Sequence, residues 1–301
     1  MISPECRQIR ATFTKASEPP DVPLSVQRQE WEAAAAQAPL PPGAAVSPAD
    51  AGGVPGVWVR GPEAAEQTAL LYVHGGGFTT GSSITHRELA ARLCLASGAP
   101  VLLIDYRLAP EHPFPAGLED VAASYRWLLA RGLRPERIAI GGDSAGACLA
   151  VAALVLLRER GVALPAAGVL ISPWLDLALT GPSLQSRAAI DPLCSRASLG
   201  RAAAAYLAGA DPAAPLASPL YADLEGFPPF LVQVGDHEVL LSDSTRFAER
   251  ARAAGVEVAL EVWEELWHVW HGWAAALPEG RRAIERMGVF IRQRLALRQP
   301  A

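Results

Sequence analysis

The chain has 301 residues, half of them apolar, with 26 Lys plus Arg against 31 Asp plus Glu and a net charge of -5. That length holds one large α/β domain or two ordinary ones, and the apolar fraction supports a sizeable core. A slightly negative balance without any Lys/Arg cluster argues against nucleic acid and anionic membrane surfaces as partners. The four cysteines, Cys6, Cys94, Cys148 and Cys194, are far apart and show no Cys-x-x-Cys or Cys/His spacing. They read as free thiols of a reducing compartment, with no metal site. The N-terminus lacks a basic start followed by an apolar run, and no stretch is long and apolar enough to span a bilayer. The expectation is a soluble, cytoplasmic protein with no stable membrane anchoring.

In chain order, Val26 to Ala38 has helical character, and Pro39 to Gly43 end it. Residues 1–45 show no strand alternation and read as an appendage that packs over something else. From Val54 the pattern changes. Val57–Arg60 is a short strand, and Thr68–Val73 is a continuous apolar run of the kind buried on both faces. That run stops at His74-Gly-Gly-Gly77. A helix follows over Ser83–Ser97, then a buried strand over Pro100–Asp105. A Pro-rich connection, Tyr106 to Ala116, leads to a helix over Leu118–Ala130. Ile138–Gly141 is a strand and Ala145–Arg160 a helix, with Gly142-Asp-Ser-Ala-Gly146 around the turn between them. Gly168–Ser172 is another strand. Buried strands alternating with helices predict a mostly parallel sheet covered on both faces.

The rhythm breaks over Ser183 to about Phe227, which is rich in Ala, Ser and Pro and has weak helical pieces such as Arg196–Leu207. It resumes with a strand at Pro229–Gly235, a helix over Ser242–Ala254, a strand over Val256–Trp263 and a final helix over Glu279–Arg298. The interruption reads as a second layer, a lid over the strand ends formed together with the N-terminal segment.

The chemistry centres on Ser144. A serine at the apex of a strand–turn–helix points out of the top of a sheet, and the flanking Gly142 and Gly146 let backbone approach backbone. A serine hydroxyl is a poor nucleophile unless a base takes its proton and a third group orients that base. Among six histidines, His268 and His271 lie in the loop between the last strand and the last helix. That loop emerges on the same sheet edge as Ser144. Either fits on geometry, and His268, closer to the strand end, is preferred. His74 reads as a shaper of its glycine loop. The orienting acid is expected in the loop after the preceding strand, from Asp236, Glu238 or Asp243. Backbone N–H groups for a developing oxyanion are available from Ala145 and from the glycine run at 75–77; losing one such donor costs about 3–4 kcal/mol of transition-state stabilisation. Asp143 either braces the turn or lines the pocket. Arg107, Glu111 and Asp120 are expected to organise loops by ion pairing. Trp263, Trp267, Trp270 and Trp273 read as core and pocket wall, and Tyr206 and Leu207 as shapers of an acyl site.

His74-Gly-Gly-Gly-Phe78, Tyr106-Arg-Leu-Ala-Pro-Glu111, Gly142-Asp-Ser-Ala-Gly146 and His268 together resemble the hormone-sensitive lipase family of α/β-hydrolases. The likeness is greatest to its bacterial esterases with a Gly-Asp-Ser-Ala-Gly elbow, and it runs from about residue 55 to the end. It implies an α/β-hydrolase core, residues 46–182 and 226–301, with a helical cap built from 1–45 and 183–225. It also implies hydrolysis of short-acyl carboxylic esters, with a small-molecule ester as partner and no metal or organic cofactor. In the family the second and third glycines of the first motif donate to the oxyanion, which places that role on Gly76 and Gly77, beside His74 and Gly75. Many members carry Asp-x-Leu at the acid position; here Glu238-Val-Leu240 is in register with it, so Glu238 takes the role. The resemblance further implies a homodimer, with the last strand and helix as a contact surface. Lactonase, amidase or thioesterase chemistry needs only another leaving group. A non-catalytic small-molecule receptor on the same fold is the reading from a different class, and the presence of Ser144, Glu238 and His268 together argues against it. A neutral His268 as base predicts activity rising with pH through an imidazole titration near about 6 to 7.

Overall fold

Continuous apolar runs become strands in the computed structural model, which describes residues 2–13, 22–62 and 64–296. The strands are β1 (Ala45–Asp50), β2 (Pro55–Arg60), β3 (Ala69–Val73), β4 (Val101–Ile104), β5 (Ile138–Asp143), β6 (Ala167–Ile171), β7 (Phe230–Gly235) and β8 (Val258–Trp263). Every residue of β3 to β7 is buried, as strands covered on both faces must be. They join one sheet in the order β1-β2-β4-β3-β5-β6-β7-β8. The pairs β1·β2 and β2·β4 are antiparallel and all others parallel.

The helices are α1 (Pro4–Thr12), α2 (Leu24–Ala36), α3 (Ser83–Ser97), α4 (Ala116–Ala130), α5 (Ala145–Glu159), α6 (Ser183–Ser186), α7 (Arg196–Leu207), α8 (Leu241–Ala253) and α9 (Pro278–Arg294). On one face of the sheet, α3 and α9 pack through Leu89, Leu93, Ile284, Met287 and Ile291. On the other, α4, α5 and α8 pack through Val121, Tyr125, Leu149, Leu154 and Phe247. Residues Ala145 to Leu157 of α5 are all buried, which explains a helix that is apolar on every side. Caps set the boundaries of the others. Ser82 opens α3 in a capping box with Thr85, and Ser195 opens α7 in one with Ser198.

The expected elements form within a few residues of their predicted limits, and the fold is an α/β-hydrolase sheet. Two elements are additional to those expected. The strand β1 lies at the sheet edge with most of its residues exposed, and it contains Pro48. With neither face buried it has no reason to alternate, and an edge tolerates proline. The helix α1 is capped by Ser3, starts with a proline at its first turn and buries only Cys6, so it carries little periodic signal. It is held from outside: Glu279 at the start of α9 accepts from Ser3 N and Oγ at 2.7 and 2.9 Å. The last helix, expected to reach Arg298, ends at Arg294; residues 297–301 lie outside the described ones.

Parallel strands deliver their following loops to one edge. The register sets Val73 beside Gly142 and Ile171 beside Asp143, so the glycine loop after β3, the Ser144 turn after β5 and the segment after β6 emerge side by side. Above them lie α2 and α7. Arg28 of α2 donates to Thr79 O and Ala109 O at 2.7 and 2.9 Å and forks onto both oxygens of Glu111 at 2.8 Å. Its guanidinium holds the Glu111 carboxyl down at about 2. Arg28 is thus the ion-pair partner of Glu111, while Arg107 pairs with Asp120 at 2.8 Å.

Candidate active site

The turn between β5 and α5 holds Ser144 at φ 53 and ψ -121, a conformation that a residue with a Cβ adopts only under constraint from its surroundings. The constraint is visible. Ser144 N donates to Ile171 O at 2.9 Å, and Trp174 N donates to Ser144 O at 3.2 Å. A Cβ on Gly146 would lie 2.1 Å from Val73 O and 2.4 Å from His74 O, so only glycine lets α5 start this close to the β3 loop. The result is a side chain forced out of the sheet top into a cavity of about 620 Å³.

Gly76, Gly77, Asp143, Ser144 and His268 all line that cavity. Gly76 sits at φ 116 with Thr80 O 2.2 Å from where its Cβ would be, which reserves the position for glycine. Gly77 approaches Ala202 of α7, whose Cβ is 3.3 Å from the equivalent point. Ala145 is buried immediately after Ser144 as the first residue of α5. Beneath the loop, Asp143 Oδ1 accepts from Gly75 N at 3.1 Å and from Tyr72 Oη at 2.9 Å, and His86 Nε2 lies 3.4 Å from Oδ2. Burial opposes the Asp143 charge, but His86 and Tyr72 outweigh it and hold the carboxyl below its ordinary value. Asp143 therefore ties the serine turn to the glycine loop and also faces the cavity.

His268 Nδ1 is 2.9 Å from Glu238 Oε2, which leaves Nε2 for the cavity. Glu238 is fully buried, and its other oxygen accepts from Gly235 N at 2.6 Å and Ser172 Oγ at 2.7 Å. Burial lifts the Glu238 carboxyl above its ordinary value, against the pull of His268 and these donors. Burial likewise disfavours the imidazolium, but the Cys194 sulfur and the Glu238 carboxylate favour it and prevail, so His268 titrates above an ordinary histidine. The Cys194 thiol is itself pushed up by burial.

The alternatives are engaged elsewhere. Asp236 Oδ1 accepts from Glu265 N at 2.6 Å, and Asp243 Oδ2 accepts from Leu175 N and Asp176 N at 2.8 and 3.0 Å. His271 is buried, donates through Nε2 to Gln233 Oε1 at 2.7 Å and is driven down to about 3 by desolvation. His74 is also buried and held down at about 3; its Nδ1 donates to Gly75 O at 2.8 Å while its ring stacks on Tyr106. Both stay neutral structural groups.

Several cavity residues carry no sequence signal of their own. Gln27 and Trp31 of α2, His86 of α3, Trp174, and Leu193, Cys194, Ser198, Leu199 and Ala202 around α7 complete the wall. Tyr206 and Leu207 do not line it; Tyr206 stacks on Phe78 at 3.9 Å and supports the glycine loop from behind. Of the four loop tryptophans, Trp267 and Trp270 are buried and Trp273 reaches the cavity. Ser172 also has a role that no motif marks. Its hydroxyl donates to Glu238 and accepts from Val269 N at 3.0 Å, coupling the acid loop to the histidine loop. Its position directly after β6, one strand from Ser144, is the signal that was available. Among the described residues no cluster of side chains is arranged to hold a metal ion, and no helix is long and apolar enough to cross a membrane.

A serine on a strained strand–helix turn, glycines beside it and a histidine tied to a buried carboxylate, all at the carboxyl edge of a parallel sheet, define an α/β-hydrolase. Residues 70–272 match the family model described as alpha/beta hydrolase fold. An acetyl-hydrolase of Streptomyces hygroscopicus is 50% identical over 253 residues, covering 84% of this chain and 83% of that protein. A crystal structure of an esterase from the bacterial hormone-sensitive lipase family superposes with a TM-score of 0.94 at 47% identity, over 98% of this chain and 99% of that one. The structure of EstE5 soaked with p-nitrophenyl butyrate gives a TM-score of 0.93 at 43% identity, with the same coverage of both chains. The chain belongs to the bacterial hormone-sensitive lipase family of α/β-hydrolases.

Proposed function

We propose that this enzyme is a carboxylesterase that hydrolyses short-acyl carboxylic esters through an acyl-enzyme on Ser144, with His268 as base and Glu238 as its orienting acid. The observation that carries the reading is that Ser144 and His268 face one cavity while His268 Nδ1 is tied to the buried Glu238. His268 Nε2 takes the Ser144 proton as Oγ attacks the ester carbonyl. Gly76, Gly77 and Ala145 offer their N–H groups to the oxyanion. His268 then protonates the departing alcohol, and a water deprotonated by the same nitrogen releases the acid. Glu238 keeps the proton on Nδ1 and stabilises the imidazolium formed in each half-reaction. In this reading α2 and α7, within the segments 1–45 and 183–225, act as the cap, and Trp174, Leu199 and Ala202 limit the room for the substrate. Short acyl chains are further supported by the p-nitrophenyl butyrate soak of EstE5. Four free cysteines favour the cytoplasm as its location.

The test combines turnover with labelling. Hydrolysis of p-nitrophenyl butyrate is expected, together with a single fluorophosphonate adduct mapped to Ser144 by mass spectrometry. Cleavage of anilides with the ester untouched would move the assignment to an amidase. No reaction and no adduct, with a ligand still bound in the cavity, would make the protein a receptor.

The pH profile follows from the base. Turnover requires neutral His268, so protonation removes activity as pH falls. Because the imidazole is held above its ordinary value of about 6.5, the rising limb of kcat/KM is expected on the alkaline side of that value, higher than an unperturbed histidine predicts. A profile flat between about pH 5 and 9 excludes an imidazole base.

A further inference from the structure

One cavity group has no part in the proposed hydrolysis. Cys194 lines the same cavity as Ser144 and His268, and its sulfur is near enough to the His268 imidazole for each to act on the charge of the other. The sulfur is held there by the backbone. Asp191 Oδ1 accepts from Leu193 N and Cys194 N at 2.9 Å each, and Asp191 Oδ2 accepts from Val239 N at 2.8 Å, the residue after Glu238. One buried carboxylate thus pins the turn before α7 to the loop that carries the acid. Cys6, Cys94 and Cys148 are buried, whereas Cys194 is partly exposed. A second group opens on the same space: Ser144, only 7% exposed, also lines the cavity. The cavity therefore presents two side-chain nucleophiles to one occupant, with His268 beside the thiol.

We propose that Cys194 is a covalent modification site that switches the enzyme off by forming a mixed disulfide with a low-molecular-weight disulfide. The proposal rests on the esterase reading for what is switched. In the step, His268 accepts the thiol proton, and Cys194 Sγ attacks one sulfur of R–S–S–R. The S–S bond of the reagent breaks, and the departing R–S⁻ takes the proton back as R–SH. The protein thiol is oxidised to a disulfide and half of the reagent is reduced to a thiol, so no other oxidant is needed. The attached R–S group then occupies the space in front of Gly76, Gly77 and Ser144 and stands against the imidazole that must shuttle the proton. Added thiol reverses the exchange. The burial that raises the Cys194 thiol keeps it protonated in the resting enzyme, so its use depends on the adjacent imidazole.

The experiment treats the full-length enzyme with 2-hydroxyethyl disulfide. Adducts are mapped by mass spectrometry, and p-nitrophenyl butyrate hydrolysis is measured before treatment, after it and after dithiothreitol. One adduct on Cys194, a rate lowered by about 10²-fold and recovery with dithiothreitol are expected. The variants C194S and C194A, each compared with its own untreated rate, are expected to be insensitive to the reagent. Absence of an adduct on Cys194, an adduct that leaves the rate unchanged, or equal inactivation of both variants would overturn the switch while leaving the esterase reading intact. An untreated enzyme that neither hydrolyses the ester nor takes a fluorophosphonate overturns the esterase reading, and the switch with it.

Discussion

Ser144→Ala is expected to lower kcat on p-nitrophenyl butyrate by about 10⁴- to 10⁶-fold, with stability changed by no more than about 0.5 kcal/mol. The loss is large because the residual enzyme has glycine donors and a histidine base but no atom to form the acyl intermediate. The stability is expected to hold because the change removes one oxygen from a side chain that opens on the cavity and leaves the backbone bonds of the turn in place. The strained φ of 53 is imposed by the surrounding backbone, through Ile171 O and the close approach of Gly146 to Val73 and His74, and alanine inherits it unchanged. Steady-state kinetics with a denaturant titration of both proteins checks the two halves. Retention of more than about a tenth of the wild-type rate would remove Ser144 from the nucleophile role.

The second large effect separates two acids that are two residues apart. Glu238→Gln is expected to cost about 10³- to 10⁴-fold in kcat, and Asp236→Ala less than about tenfold. The glutamine preserves the volume at a fully buried position and keeps an oxygen for Gly235 N and Ser172 Oγ, so folding is expected to survive. Its amide N–H would then point at His268 Nδ1, favouring the tautomer with the proton on Nε2, where it cannot accept from serine. Glu238→Ala is expected to be equally inactive but also less stable, by about 1–3 kcal/mol, because two buried donors lose their acceptor. Asp236 makes its contact to Glu265 N at the outer end of the same loop, and its loss touches neither His268 nor Ser144. Kinetics and thermal melts of the three variants decide the matter. The reverse ranking of Glu238 and Asp236 would reassign the acid.

Much of this site was legible before folding because its chemistry is written in local patterns. A buried strand ending in three glycines, and a strand–helix turn with glycines two residues either side of a serine, are short-range statements about backbone approach, and the structure places both where those patterns put them. The alternation of apolar runs with helices is a statement about a parallel sheet, and such a sheet brings its carboxyl-end loops to one edge. That is why residues 68 and 66 positions from one another along the chain, Gly75 with Asp143 and Ser172 with Glu238, meet at hydrogen-bond distance. His268 and His271 differ in the sequence only in distance from a strand end; in the fold His268 pairs with Glu238 and His271 turns inward to Gln233.

The rest depends on contacts between segments with no periodic relation. Edge strand β1 and helix α1 gave no pattern because each buries almost nothing by itself and is stabilised by neighbours it meets only in the folded chain. The roles of Ser172 and Asp191 are set by which backbone N–H or carboxylate lies opposite, and a hydroxyl or carboxyl in a loop names no partner. The sequence by itself therefore determined the class of sheet, the serine turn, the glycine loop and the two loops that carry Glu238 and His268, because each follows from strand order and local backbone geometry. Only the tertiary structure decided how far burial and charge move the titration of His268, which residues of α2 and α7 close the cavity, and that a cysteine stands beside the imidazole, because those depend on side chains from distant segments sharing one desolvated space.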